Sequence, residues 1–357
     1  TGYPILPGAY DGTFNGGTID LGISKFNATG TNLIYSTYIG GSGSETPNSI
    51  VGAPSGDLYI FGLTSSADFP MAGTPYDNTF NGGPSVPNAS TNNLGFTGGS
   101  DLYVARLSAN GSSLVASTYV GGSGTDGLNT SVLQYNYGDQ FRGDIVLDDN
   151  NNVYVASHTT STDFPTLLGG QITPAAGQDA VVFKMNAGLS TMIWSTYFGG
   201  AGDDSGNSVQ LSSTGDVYVV GGTTSAGLPF PTGFDLSYDG GTADGYVARL
   251  SGVNGSFISG TYIGLNQYDQ GYFVQLDIDD KVYVFGQTES SYPITPGCFG
   301  VPNSGQFIRK YNTDLLSIEW TTMFGAGTGN VELSPTAFLV SDCYDIYLSG
   351  WGGAINT

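Results

Sequence analysis

The chain has 357 residues, of which 57 are Gly, 23 Tyr and 19 Phe. Only 11% are charged, and 30 Asp+Glu stand against 8 Lys+Arg, for a net charge of -22. That charge repels phosphate backbones and anionic lipid surfaces, which excludes nucleic acid as a partner. Lys, Arg and Glu, which build helix surfaces, are scarce, whereas Asp, Gly and Asn are turn residues. The composition therefore predicts many short strands joined by turns, and it excludes helical bundles and solenoids. At 39% hydrophobic and 13% aromatic there is ample material for a core, so disorder is excluded too. No apolar run approaches the ~18 residues of a spanning helix, so membrane insertion is not expected.

Taken in chain order, the predicted elements repeat. An apolar strand ending in a base, an apolar residue and Asn or Ser comes first, at Lys25. It returns at Arg106, Lys184, Arg249 and Lys310. Twelve residues after each base lies the Thr of a Ser-Thr-Tyr motif: Thr37, Thr118, Thr196, Thr261 and Thr322. The fourth copy reads Gly260-Thr261-Tyr262 and the fifth has drifted to Thr321-Thr322-Met323. A third strand follows, centred on Tyr59, Tyr154, Tyr218, Tyr283 and Tyr347, mostly with Gly three residues on. An invariant spacing in five copies marks an internal repeat. In the second unit the strands read as Asp144–Leu147 (A), Val153–Ser157 (B), Asp179–Lys184 (C) and Met192–Phe198 (D), each bounded by Gly, Asn, Asp or Ser.

Four antiparallel strands per unit, repeated, predict an all-β fold, a β-propeller of four-stranded blades. The chain is read as a single propeller, 1–357. Its copies, counted from strand C to strand B, cover approximately 18–64, 101–158, 179–223, 244–288 and 305–350. It begins and ends within a B-to-C linker, giving five blades' worth of strands. The A–B and C–D turns share one face, and the B–C linkers and D–A crossings share the other. The long insertions, Met71–Ser100 and Gly127–Gln140, fall on the second face. Variable loops on a rigid scaffold predict that this face meets a partner, a surface glycan or a protein.

The run from Trp194 to Asp204, WSTYFGGAGDD, and the run from Thr214 to Gly221, TGDVYVVG, resemble the SBBP repeat, a β-propeller repeat of bacterial extracellular proteins. Thr160 to Pro165, Thr64 to Pro70 and Pro7 to Tyr10 resemble its linker. The resemblance covers essentially the whole chain and is weakest in the fifth copy. It implies an extracellular or cell-surface protein of Bacteroidota, often type IX secreted and gliding-motility-associated or adhesin-like. It also implies a seven-bladed ring if this chain is a fragment, with further domains of the same polypeptide, whereas a ring closed on the chain's own ends would have five blades.

Catalytic residue types are sparse. The one histidine, His158, stands where other copies carry Leu63, Gly222, Gln287 and Trp351, which reads as a structural position. No acid–base cluster outside the repeat is visible. The expected function is a non-enzymatic adhesion or interaction module. The alternatives are a structural spacer or filament subunit, and a carbohydrate-active enzyme with its site on the insertion face. Hard oxygen ligands suited to Ca²⁺ occur at Asp148 and Asp149, at Asp277 and Asp279, and in the D–A crossings at Glu45, Asp126, Asp203 and Asp204. Tyr38, Tyr119, Tyr197 and Tyr262 hold one repeat position and are expected to pack between blades. The strand-C bases Lys25, Arg106, Lys184, Arg249 and Lys310 are expected to answer carboxylates elsewhere, such as on a neighbouring blade. Cys298 and Cys343 fall on opposite faces, which disfavours a disulfide.

Overall fold

The computed structural model describes residues 2–87 and 94–352. Among them are twenty strands and one short 3-10 turn, Asp139–Phe141. The first pair, β1 (Leu21–Phe26) and β2 (Leu33–Ile39), is a two-stranded sheet. Four antiparallel four-stranded sheets follow. They are β3 (Glu45–Gly52) with β4 (Leu58–Thr64), β5 (Asp101–Leu107) and β6 (Leu114–Val120), then β7 (Asp144–Leu147) with β8 (Val153–Thr159), β9 (Asp179–Met185) and β10 (Met192–Phe198). Next come β11 (Asp204–Leu211) with β12 (Val217–Thr223), β13 (Asp244–Leu250) and β14 (Phe257–Ile263), and β15 (Asp269–Leu276) with β16 (Val282–Thr288), β17 (Gln306–Tyr311) and β18 (Ile318–Phe324). The last pair is β19 (Leu333–Val340) and β20 (Ile346–Gly352).

Each sheet runs A-B-C-D in sequence order, as the repeat spacing predicts, and all neighbours are antiparallel. The A strands β3, β7, β11, β15 and β19 lie successively against one another and form the inner wall. Four blades are complete and the terminal pairs are half-blades. Among the described residues β1 and β20 are not paired, and no closed sheet forms.

The core lies between blades. Tyr59, Phe61 and Val104 of the first complete sheet pack with Val155, Val181 and Phe183 of the second. Trp194 and Phe198 of the second pack with Val219, Tyr246 and Leu250 of the third. Tyr218 and Val220 of the third pack with Val284, Phe307 and Tyr311 of the fourth. Each such side chain, fully buried, contributes roughly 1.5–3 kcal/mol. Tyr59, Tyr154, Tyr218 and Tyr283 are at most 2% exposed. Tyr347 is 58% exposed, because the terminal half-blade lacks the strand that covers its equivalents.

One expectation about the repeat residues is extended and another corrected. Tyr119, Tyr197 and Tyr262 belong to clusters that join neighbouring blades, and their hydroxyls also act within their own blades. Each hydroxyl donates to a carbonyl of that blade's B–C linker (Ser66, Ser161 and Ser225) and accepts the N–H of Phe69, Phe164 or Leu228. The side chain is a pin for the linker.

The bases find their carboxylates in their own blades. Arg106 pairs with Asp57 at 2.6 Å, Lys184 with Asp148 at 3.6 Å, Arg249 with Asp216 at 2.5 Å and Lys310 with Asp277 at 3.0 Å. The neighbouring blade supplies a carbonyl instead. Lys25 donates to Ala109 O, Arg106 to Ala187 O, Lys184 to Gly252 O and Arg249 to Thr313 O, at 3.2–3.4 Å. An A–B turn, a base and the next C–D turn thus form a clasp repeated around the ring.

Candidate functional site at the ring axis

The A strands carry the site because each is bent by a bulge near its start. The register slips at Asn48 in β3, Asn207 in β11, Tyr272 in β15 and Thr336 in β19. A bulge re-aims a side chain. Asn48, Asn207 and Thr336 line a cavity of about 440 Å³ bounded by the five A strands. Strand β7 begins one residue later, after Gly143, and presents Asp144 there.

Asp144 breaks the repeat. By register with the B strands, its counterparts are Ser49, Ser208, Phe273 and Ala337. Its carboxyl accepts hydrogen bonds from Ser49 Oγ at 2.7 Å and Ser208 Oγ at 3.0 Å, tying three blades together. Burial pushes this carboxyl above the usual carboxylate range, against the pull of those two hydroxyls. Both amide atoms of Asn48 and the Oδ1 of Asn207 are buried without a hydrogen-bond partner. Such groups are costly unless something satisfies them.

The Gly127–Gln140 insertion folds over this cavity. Asp139 Oδ2 accepts the Tyr272 hydroxyl and the Asn136 amide, each at 2.9 Å, and Asp139 Oδ1 receives Arg142 Nε at 3.0 Å. Arg142 also donates to Pro335 O on β19 at 2.8 Å and lies 4.7 Å from the centre of the Tyr272 ring. Tyr135 stacks on Tyr268 at 3.9 Å and donates to Glu289 Oε1 at 2.6 Å. The insertion is thus anchored across the axis to β15, β16 and β19. At the cavity mouth Tyr137 and Trp351, 54% and 65% exposed, face each other with ring centres 5.9 Å apart.

Asp139, Arg142 and Asp144 form an acid–base cluster outside the repeat, which sequence reasoning did not find. The available signal was the lone acid of β7 at a position of Ser, Phe and Ala, beside the one long D–A insertion. His158 is fully buried. Burial lowers its pKa to about 4 and keeps it neutral, in line with the structural position expected.

The expected cation ligands are scattered. Asp148 and Asp277 serve the clasps, and Asp279 accepts the Tyr344 hydroxyl at 2.8 Å. Asp149 lies in the A–B turn after β7. Asp203 Oδ1 accepts Gln178 N–H at 3.0 Å. Glu45 and Asp204 open inner strands and Asp126 lies in the crossing before β7, and all three are fully buried. No group of three or more His, Cys, Asp or Glu that holds a metal occurs among the described residues. Cys298 and Cys343 are free thiols. No helix of the described residues is long and apolar enough to cross a membrane.

Residues 193–229 match the SBBP family model, described as a β-propeller repeat. No curated protein matches the chain. Among solved structures, a mutant of NanB sialidase from Streptococcus pneumoniae is similar at 12% identity and a TM-score of 0.45, over 93% of this chain and 61% of that one. A polysaccharide lyase, an ulvan lyase bound to -[GlcA(1-4)Rha3S]-, is similar at 13% identity and a TM-score of 0.33, over 75% of this chain and 53% of that one. The chain therefore spans about three fifths and one half of these neighbours. Both are named as enzymes, and the expectation of a non-enzymatic module finds no support in these comparisons.

Proposed function

We propose that the chain is a carbohydrate-active β-propeller that takes a sugar at its axial cavity, on the insertion face. The observation that carries this reading is the convergence of repeat-breaking polar groups at one cavity with an aromatic mouth. Its volume of about 440 Å³ falls within the ~300–1,000 Å³ usual for small-ligand sites. The unpartnered amide of Asn48 and the unpartnered Oδ1 of Asn207 suit sugar hydroxyls. The rings of Tyr137 and Trp351 offer an apolar body to stack on a pyranose face.

In this reading Asp144 is the proton donor. Its carboxyl is held by two serine hydroxyls, and burial raises its pKa above the usual carboxylate range, the direction in which a general acid is tuned. Arg142, fixed by Asp139, orients the sugar from the cavity wall. The test is a panel of soluble polysaccharides scored for both binding and chain cleavage. Trp351→Ala is expected to weaken binding, and Asp144→Asn to abolish cleavage while leaving binding in place. Binding indifferent to Trp351 removes the axial site from the account.

A further inference from the structure

Four times in the chain, an acid at or just before the start of a C strand is followed 25 residues later by a second acid, which in three of the four opens the next A strand; Asp126 instead stands in the crossing well before β7. The couples are Asp20 with Glu45, Asp101 with Asp126, Asp179 with Asp204 and Asp244 with Asp269. In the first three couples the fold brings the members together around the glycine that follows the intervening D strand; in the fourth, Gly264 meets Asp244 alone, which lies close enough to Asp269 to feel its charge. A Cβ on Gly40 would lie 2.7 Å from Glu45 Oε2 and 2.8 Å from Asp20 Oδ1. One on Gly121 would lie 2.7 Å from Asp126 Oδ2 and 2.8 Å from Asp101 Oδ1, and one on Gly199 would collide with both Asp179 and Asp204. Glycine is required at these crossings by close approach, since none of the three has a positive φ.

None of the eight acids forms an ion pair with a base among the described residues. The strand-C bases are spent on the opposite face, in the clasps. Two adjoining carboxylates cannot both stay ionised in a buried place without a compensating charge. Each A-strand acid is already served by its own hydroxyls and N–H groups, such as Thr223, Ser225 and Gly200 for Asp204. The C-strand acids Asp20, Asp179 and Asp244 are served on Oδ2 only, by the N–H of Asn15, Ala175 and Asp239 respectively. Oδ1 of Asp179 and Oδ1 of Asp244, in residues 1% and 0% exposed, accept no hydrogen bond, and the same holds for Asp20 Oδ1. In the remaining couple both Asp101 oxygens are taken, by Asn81 N–H at 2.7 Å and Gly82 N–H at 2.9 Å.

We propose that the couples Asp20–Glu45, Asp179–Asp204 and Asp244–Asp269 each bind one divalent cation of the Ca²⁺ class through those unpartnered oxygens. Hard carboxylate oxygens completed by carbonyls and water are the ligands such ions take. The ions would seal successive blades to one another at the D–A crossings, opposite the clasps. The proposal stands independently of the axial site.

The test is calorimetric titration of the chelator-stripped chain with CaCl₂ at mildly alkaline pH, alongside thermal unfolding. The expected result is three ions per chain and a raised Tm with millimolar Ca²⁺. Asp179→Asn should leave two ions, and Asp101→Asn, in the couple without a free oxygen, should still leave three. Should Asp179→Asn fail to fold, Tb³⁺ luminescence in the unmodified chain replaces it. Tyr197 and Tyr238 lie close enough to feel the charges of Asp179 and Asp244 and would sensitise the ion, with Ca²⁺ displacing it. No heat, no Tm shift and no Tb³⁺ signal overturn the proposal.

Discussion

Replacing Tyr218 separates the two forces that hold neighbouring blades together. Its ring is fully buried between the third and fourth complete sheets, and its hydroxyl donates to Thr313 O of the next blade at 2.6 Å. Tyr218→Phe removes only that hydrogen bond. Thr313 O keeps Arg249 Nη1 at 3.3 Å, so no acceptor is orphaned, and the expected cost is about 0.5–1.5 kcal/mol. Tyr218→Ala also removes the ring and leaves a cavity the rigid sheets cannot close, at about 3–5 kcal/mol. Guanidinium unfolding of both variants, followed by the fluorescence of buried Trp194, measures the two costs. The ratio carries the argument. A Phe variant as costly as the Ala variant, or an Ala variant within about 0.5 kcal/mol of the unmodified chain, would refute the view that ring packing between blades dominates and the clasp adds to it.

Stability in chelator should peak in acid. Burial raises Asp101, Asp204 and Asp244 to about 7, Asp126 to about 8, and Asp179 and Asp269 to about 6. Such groups favour folding fully below their unfolded pKa, and that contribution is lost as pH rises from about 4 to about 8. Asp68, Asp148, Asp163 and Asp277 are lowered, chiefly by hydrogen bonds. Their contribution is lost as pH falls below about 4. Thermal melts should therefore show a maximum between about pH 4 and 6, and a maximum above pH 8 would contradict the buried couples. Arg249→Lys should cost on the order of 1 kcal/mol in unfolding free energy. Lys reaches both the turn carboxylate and the neighbouring carbonyl, as Lys184 does, but replaces the two contacts of Nε and Nη2 with Asp216 Oδ2 by one. A neutral result would show that the clasp is only a surface ion pair.

Much of the scaffold was legible in the sequence because repetition turns weak signals into strong ones. The 12-residue base-to-Thr spacing located all five C–D hairpins, and the second unit's strands fell within two residues of β7–β10. The partners of Arg106 and Tyr119 were not legible. A strand pattern fixes which face a side chain takes, but not which turn or linker folds back to meet it. The carboxylate couples were half visible. Glu45, Asp126 and Asp204 stand out in the sequence as hard oxygen ligands. Only the fold shows that Asp20, Asp101 and Asp179 adjoin them. The axial site was missed for a different reason. Its residues depart from the repeat, and Asn48, Asn207 and Thr336 reach the axis through bulges that periodicity does not reveal.

The central claim, a carbohydrate site at the ring axis, is tested most directly by polysaccharide turnover and binding measured together on the unmodified chain, Trp351→Ala and Asp144→Asn. The account predicts a saccharide whose binding weakens at least about tenfold, roughly 1.4 kcal/mol, without Trp351, and whose cleavage is lost while binding persists without the Asp144 carboxyl. Binding and turnover that survive both substitutions unchanged would contradict it.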